Sequence, residues 1–217
     1  MVIASTPETL AFETTLPAPT GEDLHGPATG LLAHLARTRA RTGLGCDWWA
    51  LANDVALTSA AESLAAGRAD EAVTHWFGRG PGLTPSGDDV LAGMITTLRF
   101  VGAVAPSRIG PLRASVDAAA GRLTTDLSAE YLHYACRGMA GGMVRDMLVA
   151  LDRSDATGVL DALDLLGRHG DTSGMDCVLG IVLALRHAET GSPSLAPAVI
   201  ASRLVRAQGS ARPSRGP

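Results

Sequence analysis

The chain contains no lysine; all 18 of its basic residues are arginine. That absence excludes Schiff-base and Walker-type lysine mechanisms within the chain. We read it as a nucleotide-composition bias rather than as chemistry. Aromatic residues are scarce as well, at 4% of 217 residues. The core must therefore come from Ala, Leu and Val, and an apolar share of 46% is enough to build one medium domain by close helix packing. The three cysteines, Cys46, Cys136 and Cys177, lack any Cys-x-x-Cys spacing, and there is no His-x-x-x-His pair. A disulfide framework and a structural zinc site are both disfavoured, and reduced, buried thiols are expected. The net charge of −4 carries no basic stripe, which excludes a nucleic-acid footprint. No apolar run approaches the ~18 residues of a membrane span, and no basic segment precedes an apolar one at the N-terminus. A soluble, cytoplasmic protein without a membrane partner is the expectation.

Strand signals are few, and the periodicity of apolar residues is helical almost throughout. Helices are expected from Gly26 or Pro27 to Arg41, Asp47 to Ala66, Ala69 to Phe77, and Asp88 or Asp89 to Val104. Others are expected over 107–121, 125–138, 142–152, 154–168 and from Met175 to Glu189. The helices after residues 88 and 175 are apolar on every side, so both should be central. The fold class that follows is all-α: a single helical domain over 26–190. A short, irregular or minimally stranded arm over 1–25 precedes it, and a C-terminal tail over 191–217, largely disordered at its end, follows it.

Between the third and fourth helices the run from Gly78 to Asp89 holds four glycines, two prolines, two hydroxyls and two adjacent carboxylates. Glycine serves where the backbone turns with positive φ or approaches something closely, and proline fixes φ. The run is answered later in the chain. Ser86-Gly87-x-Asp89-x-x-x-Gly93 matches Ser173-Gly174-x-Asp176-x-x-x-Gly180, each position 87 residues from its counterpart. A domain of two pseudo-symmetric halves would account for this, with Gly93 and Gly180 letting the central helices cross closely.

The plainest account of each Ser-Gly-x-Asp is a helix cap. Serine at the N-cap and an acid three residues on make a capping box, which would explain Ser86, Asp89, Ser173 and Asp176. It leaves Gly80, Gly82, Pro85 and Asp88 unexplained. Helix N-termini also suit anions, and adjacent carboxylates there can hold Mg²⁺. Gly82, Thr84, Ser86, Gly87, Asp88, Asp89, Thr172, Ser173, Gly174 and Asp176 are accordingly the candidate ligand-binding residues. Asp88, Asp89 and Asp176 are the candidate Mg²⁺ ligands. Ser128, Tyr131, His133, Tyr134 and Arg137 share one expected helix, where packing with polar tips is the simpler reading. His169 stands beside the second motif, where a helix-terminal role competes with a site role. His75 is expected in the core or at a helix end. No Gly-x-Ser-x-Gly elbow or other convincing nucleophile is present.

The run Gly80-Pro81-Gly82-Leu83-Thr84-Pro85-Ser86-Gly87-Asp88-Asp89, with Leu91 and Gly93 behind it, resembles the signature of a bacterial family associated with one subunit of oxamate carbamoyltransferase. Thr172-Ser173-Gly174-Met175-Asp176 with Gly180 looks like that family's second motif, and Ser128, Leu132, Ala135 and Gly138 fit the pattern between them. The resemblance implies a carbamoyltransferase subunit of purine-derived nitrogen catabolism, in the degradation of allantoin through oxalurate. It also implies partner subunits and an anionic substrate: carbamoyl phosphate, oxamate or oxalurate. Arg79 and Arg168 are the nearest residues to neutralise such an anion. A non-catalytic assembly or regulatory subunit, and a Mg²⁺-dependent hydrolase or phosphotransfer enzyme, are the alternatives.

Overall fold

The computed structural model describes residues 15–19 and 27–191. Among the described residues ten helices follow one another: α1 Pro27–Thr38, α2 Trp48–Ala52, α3 Val55–Ala65, α4 Glu71–Thr74, α5 Ser86–Phe100, α6 Pro106–Leu123, α7 Asp126–Cys136, α8 Gly142–Asp152, α9 Ala156–Gly167 and α10 Ser173–Gly191. The all-α expectation holds, and among the described residues there are only two isolated β-bridges. One of them joins Thr15 to Met139, with the Leu16 N–H donating to the Gly138 carbonyl at 3.1 Å, so the arm touches the turn before α8. The expected disordered tail, like residues 1–14, lies outside the described residues.

Local chemistry accounts for most boundaries. The helix expected over Asp47–Ala66 is broken at Asn53-Asp54, because Asp54 leaves the helix to cap α3, accepting from the Leu57 N–H at 3.0 Å. Asp47, Thr125 and Asp155 cap α2, α7 and α9 in the same manner. The segment expected to be helical over Ala69–Phe77 shrinks to the single turn α4 followed by tight turns. Helix α5 begins at Ser86, earlier than expected, and yields at Val101-Gly102, where Gly102 takes a φ of 70°.

Helices α5 and α10 form the central pair, the most extensive helix–helix contact in the fold. Val90, Leu91, Met94, Ile95 and Leu98 of one, and Val178, Leu179, Ile181, Val182 and Leu185 of the other, are fully buried. Helix α7 packs on α5, α6 on α7, and α9 against both α8 and α10, while α1 and α3 cover α10. Two glycines set the closeness of the central crossing. A Cβ on Gly93 would strike the Cys177 carbonyl, and a Cβ on Gly180 would strike the Val90 carbonyl. Residues 90 and 177 are themselves 87 apart, so the contact is reciprocal and the sequence repeat is a repeat in space. Gly87 and Gly174 continue the pattern, lying under the carbonyls of Trp76 and Leu166 in the segments that precede each central helix.

Gly93→Ala and Gly180→Ala should each lower the stability measured by urea unfolding by about 1–3 kcal/mol, as overpacking does against unyielding backbone. Gly121→Ala is the contrast: it is exposed within α6 and nothing beyond its chain neighbours stands within 4 Å of the added methyl. It should stabilise by about 0.5–1 kcal/mol. Equal effects at all three positions would contradict the reciprocal crossing.

Candidate functional site

The capping-box expectation fails, and the reason defines the site. Pro85, not Ser86, is the N-cap of α5, and it offers no side-chain cap. The Asp89 N–H donates to the Pro85 carbonyl at 3.2 Å and the Asp176 N–H to the Thr172 carbonyl at 2.8 Å. Each serine is therefore the first residue inside its helix, one position too late to cap it. Because the helices cross so closely, each serine instead meets the aspartate of the other motif. Ser173 and Thr84 set their hydroxyls beside the Asp89 carboxyl, while Thr172 and Ser86 do so for Asp176. A 2.7 Å hydrogen bond between the Thr84 and Ser173 hydroxyls ties the two motifs together.

The two halves have different surroundings. Asp176 is wholly buried, and its Oδ1 accepts the Gly43 N–H at 2.8 Å. Gly43 is brought there by a tight turn in which the N–H groups of Thr42 and Gly45 each donate to the other's carbonyl, at 2.8 and 3.2 Å. The Trp48 indole N–H pins the preceding Ala40 carbonyl at 2.7 Å. Only glycine fits at position 43, since a Cβ would run into the Ser86 hydroxyl.

The Asp89 half opens instead into a largely apolar cavity of about 520 Å³ between α5, α7, the start of α8, the end of α9 and the start of α10. Thr84, Asp89, Ser173 and Gly174 line it, together with Tyr131, Tyr134, His169 and Cys177. One oxygen of Asp89, Oδ2, is buried without a hydrogen-bond partner. Oδ2 of Asp176 also lacks one, but Asp176 does not line the cavity.

The remaining expected site residues are used elsewhere. Asp88 is buried and accepts from the Gly78 N–H at 2.9 Å and from the Thr124 hydroxyl, so it locks the glycine-rich loop onto the end of α6. Gly87 serves packing. Gly82, with a φ of 100°, sits exposed in the loop with nothing within 4 Å of a Cβ. Of the three carboxylates expected at a Mg²⁺ ion, Asp88 and Asp176 accept from these backbone donors and Asp89 lines the cavity. Among the described residues no group of three or more His, Cys, Asp or Glu is placed to hold a metal ion.

Arg79 folds back on the His75 carbonyl at 3.1 Å and Arg168 pairs with Asp164; neither lines the cavity. His75 is exposed at the end of α4, not in the core. His133 pairs with Asp117 at 2.9 Å, and Ser128 is buried with its hydroxyl 3.4 Å from the Leu83 carbonyl. Both tyrosines do reach the cavity, beyond the packing role expected of them. His169 serves both roles, lining the cavity while its carbonyl accepts the Gly174 N–H at 3.2 Å. Gly43 carried no signal beyond ending a helix, and the lining from Met139 to Val144 carried none.

Burial governs the electrostatics. It pushes Asp89 from its ordinary 3.8 up to about 7, against the pull of Ser173, with the charge of Asp176 pushing it further and Thr84 opposing. Burial raises Asp176 too, opposed by Thr172, Ser86 and the Gly43 N–H, and it raises Asp88 against Thr124, Gly78 and Ser128. Cys177 is pushed up to about 12 by burial and by Asp89 and Asp176, so its thiol stays protonated and is no nucleophile.

The folded chain thus keeps protons that the unfolded chain releases. The stability contributed by Asp89 is complete below about pH 4 and is lost as pH rises through about 7, with Asp88 and Asp176 acting in the same direction. Urea midpoints should fall between about pH 5 and about pH 8, and Asp89→Asn should flatten the fall. A wild-type midpoint that rises across this window would contradict the assignment.

No solved structure matches this chain. The family model described as oxamate carbamoyltransferase subunit AllH matches residues 76–185. That segment holds both Ser-Gly-x-Asp motifs and every described residue that lines the cavity. The chain belongs to the oxamate carbamoyltransferase subunit AllH family.

Proposed function

We propose that this chain works as one subunit of an oxamate carbamoyltransferase in purine-derived nitrogen catabolism, and that the cavity beside Asp89 receives part of the substrate. The observation that carries the reading is the coincidence of the cavity with the matched segment: its lining runs from Thr84 to Cys177, within residues 76–185. Oxamate, oxalurate and carbamoyl phosphate are anions, yet among the described residues the lining holds no Arg. The positive end of α10 at Ser173 and Gly174 is the lining's own contribution towards negative charge. Full neutralisation of the anion is assigned in this reading to partner subunits.

The surface beside the cavity agrees with that division. Leu83 is 74% exposed, and its carbonyl accepts the Thr125 hydroxyl at 2.6 Å, which sets it near the exposed Leu127 and Tyr131 of α7. An apolar rim of this kind favours cover by the partner carbamoyltransferase subunits over permanent contact with water.

The test is reconstitution of this chain with its partner subunits, following phosphate-dependent formation of oxamate from oxalurate. Activity should require the chain, and Asp89→Ala should lower kcat/KM by at least about tenfold, the scale expected when a buried polar contact to substrate is removed. Full activity of the partner subunits without this chain would defeat the proposal.

A further inference from the structure

The two halves of the central pair pose the same chemical question, and the chain fills only one of them. In the half built from Asp176, Ser86 and Thr172, the peptide group at Gly43 enters, its N–H donating to Asp176 Oδ1 at 2.8 Å. The Gly43 Cα rests against the Ser86 hydroxyl, and a Cβ there would come within 3.1 Å of the Thr172 hydroxyl. In the half built from Asp89, Ser173 and Thr84, no backbone N–H among the described residues donates to the carboxyl. The counterpart space is open cavity lined by Asp89, Ser173 and Thr84, and Asp89 Oδ2 is buried and without a partner.

The Gly43 peptide group is thus an internal specimen of what such a half-site accommodates: a planar, neutral amide that presents an N–H to the carboxyl between two hydroxyls. The rest of the cavity agrees with a neutral guest. Ala92, Met139, Ala140, Met143, Val144 and Leu166 make its wall apolar, which penalises a bare charge there.

We infer that the Asp89 half-site is a subsite for the neutral primary-amide or ureido end of a ligand, entered by the ligand's N–H as the Gly43 peptide N–H enters the Asp176 half-site. This deepens the proposed function and rests on it for the choice of ligands. Oxamate, oxalurate and carbamoyl phosphate all end in a carbamoyl group, a carbonyl bearing an unsubstituted amino nitrogen. The subsite would hold that group while the carboxylate or phosphate end faces outward. Asp89 then acts as a positioning group for the carbamoyl nitrogen rather than as a counter-ion for the anion.

The experiment uses pairs of ligands with the same charge type that differ only in an amino against a methyl group on the carbonyl. Oxamate against pyruvate, and carbamoyl phosphate against acetyl phosphate, are titrated into the full chain by calorimetry. The amino member should bind at least about tenfold more tightly in one pair or both, because its methyl counterpart leaves the carboxyl unpaired. That preference should vanish in Asp89→Ala, with circular dichroism confirming the fold; Asp89→Leu, with the same branched skeleton, replaces it if the alanine variant does not fold. Equal affinities within both pairs, binding by none of the four ligands, or a preference that survives the loss of Asp89 would each overturn the inference. Such a result leaves the proposed function standing if the reconstituted enzyme still needs the chain. An N–H preference in a chain that the enzyme does not need would separate the two claims in the opposite sense.

Discussion

The carbonyls of Val90 and Cys177 lie against Gly180 and Gly93, and this mutual contact sets how near α5 and α10 can approach. Everything distinctive about the site follows from that approach. At the separation a side chain would impose, each serine would be left to its own helix. At this one the N-termini stand side by side, and Ser86 meets Asp176 while Ser173 meets Asp89. Two carboxyls are carried into the interior, where burial disfavours their charged forms, and the hydroxyls of the opposite helix partly offset that cost.

A symmetric pair of this kind has no function until its symmetry is broken. The turn at Thr42–Gly45 breaks it by delivering a backbone N–H to Asp176, which leaves Asp89 as the half open to a ligand. The segment that fills one half, around Gly43, lies outside the family-matched region, whereas the open half lies wholly within it. Asp88, next to Asp89 in sequence, is structural: it ties the glycine-rich loop to Thr124. The three carboxyls thus divide into a lock, an occupied half-site and an open one, although all three have the same side chain.

The sequence made the architecture legible because helical periodicity and the 87-residue repeat are properties of local spacing. Two wholly apolar helices could only be central, and Gly93 and Gly180 could be assigned to a close crossing from spacing alone. The partner exchange was not legible. Ser-x-x-Asp is also the spacing of a capping box, and only the positions of Pro85 and Thr172 as helix-preceding residues show that each serine falls one place too late. Gly43 stands 133 residues from Asp176, with nothing local to mark it. The helix break at Asn53-Asp54 was missed because apolar periodicity runs through it, and the cap of Asp54 prevails. The arginines next to the motifs, Arg79 and Arg168, proved to be surface residues satisfied by their own helical segments.

The exchange of partners is the central claim, and double-mutant cycles on folding stability test it most directly. Ser86→Ala with Asp176→Asn, and Ser173→Ala with Asp89→Asn, should each show a coupling on the order of 0.5 kcal/mol or more, as groups in contact do. The pairs within one motif, Ser86 with Asp89 and Ser173 with Asp176, should add with no such coupling. Coupling within each motif and additivity across the two would restore the capping box and contradict the account.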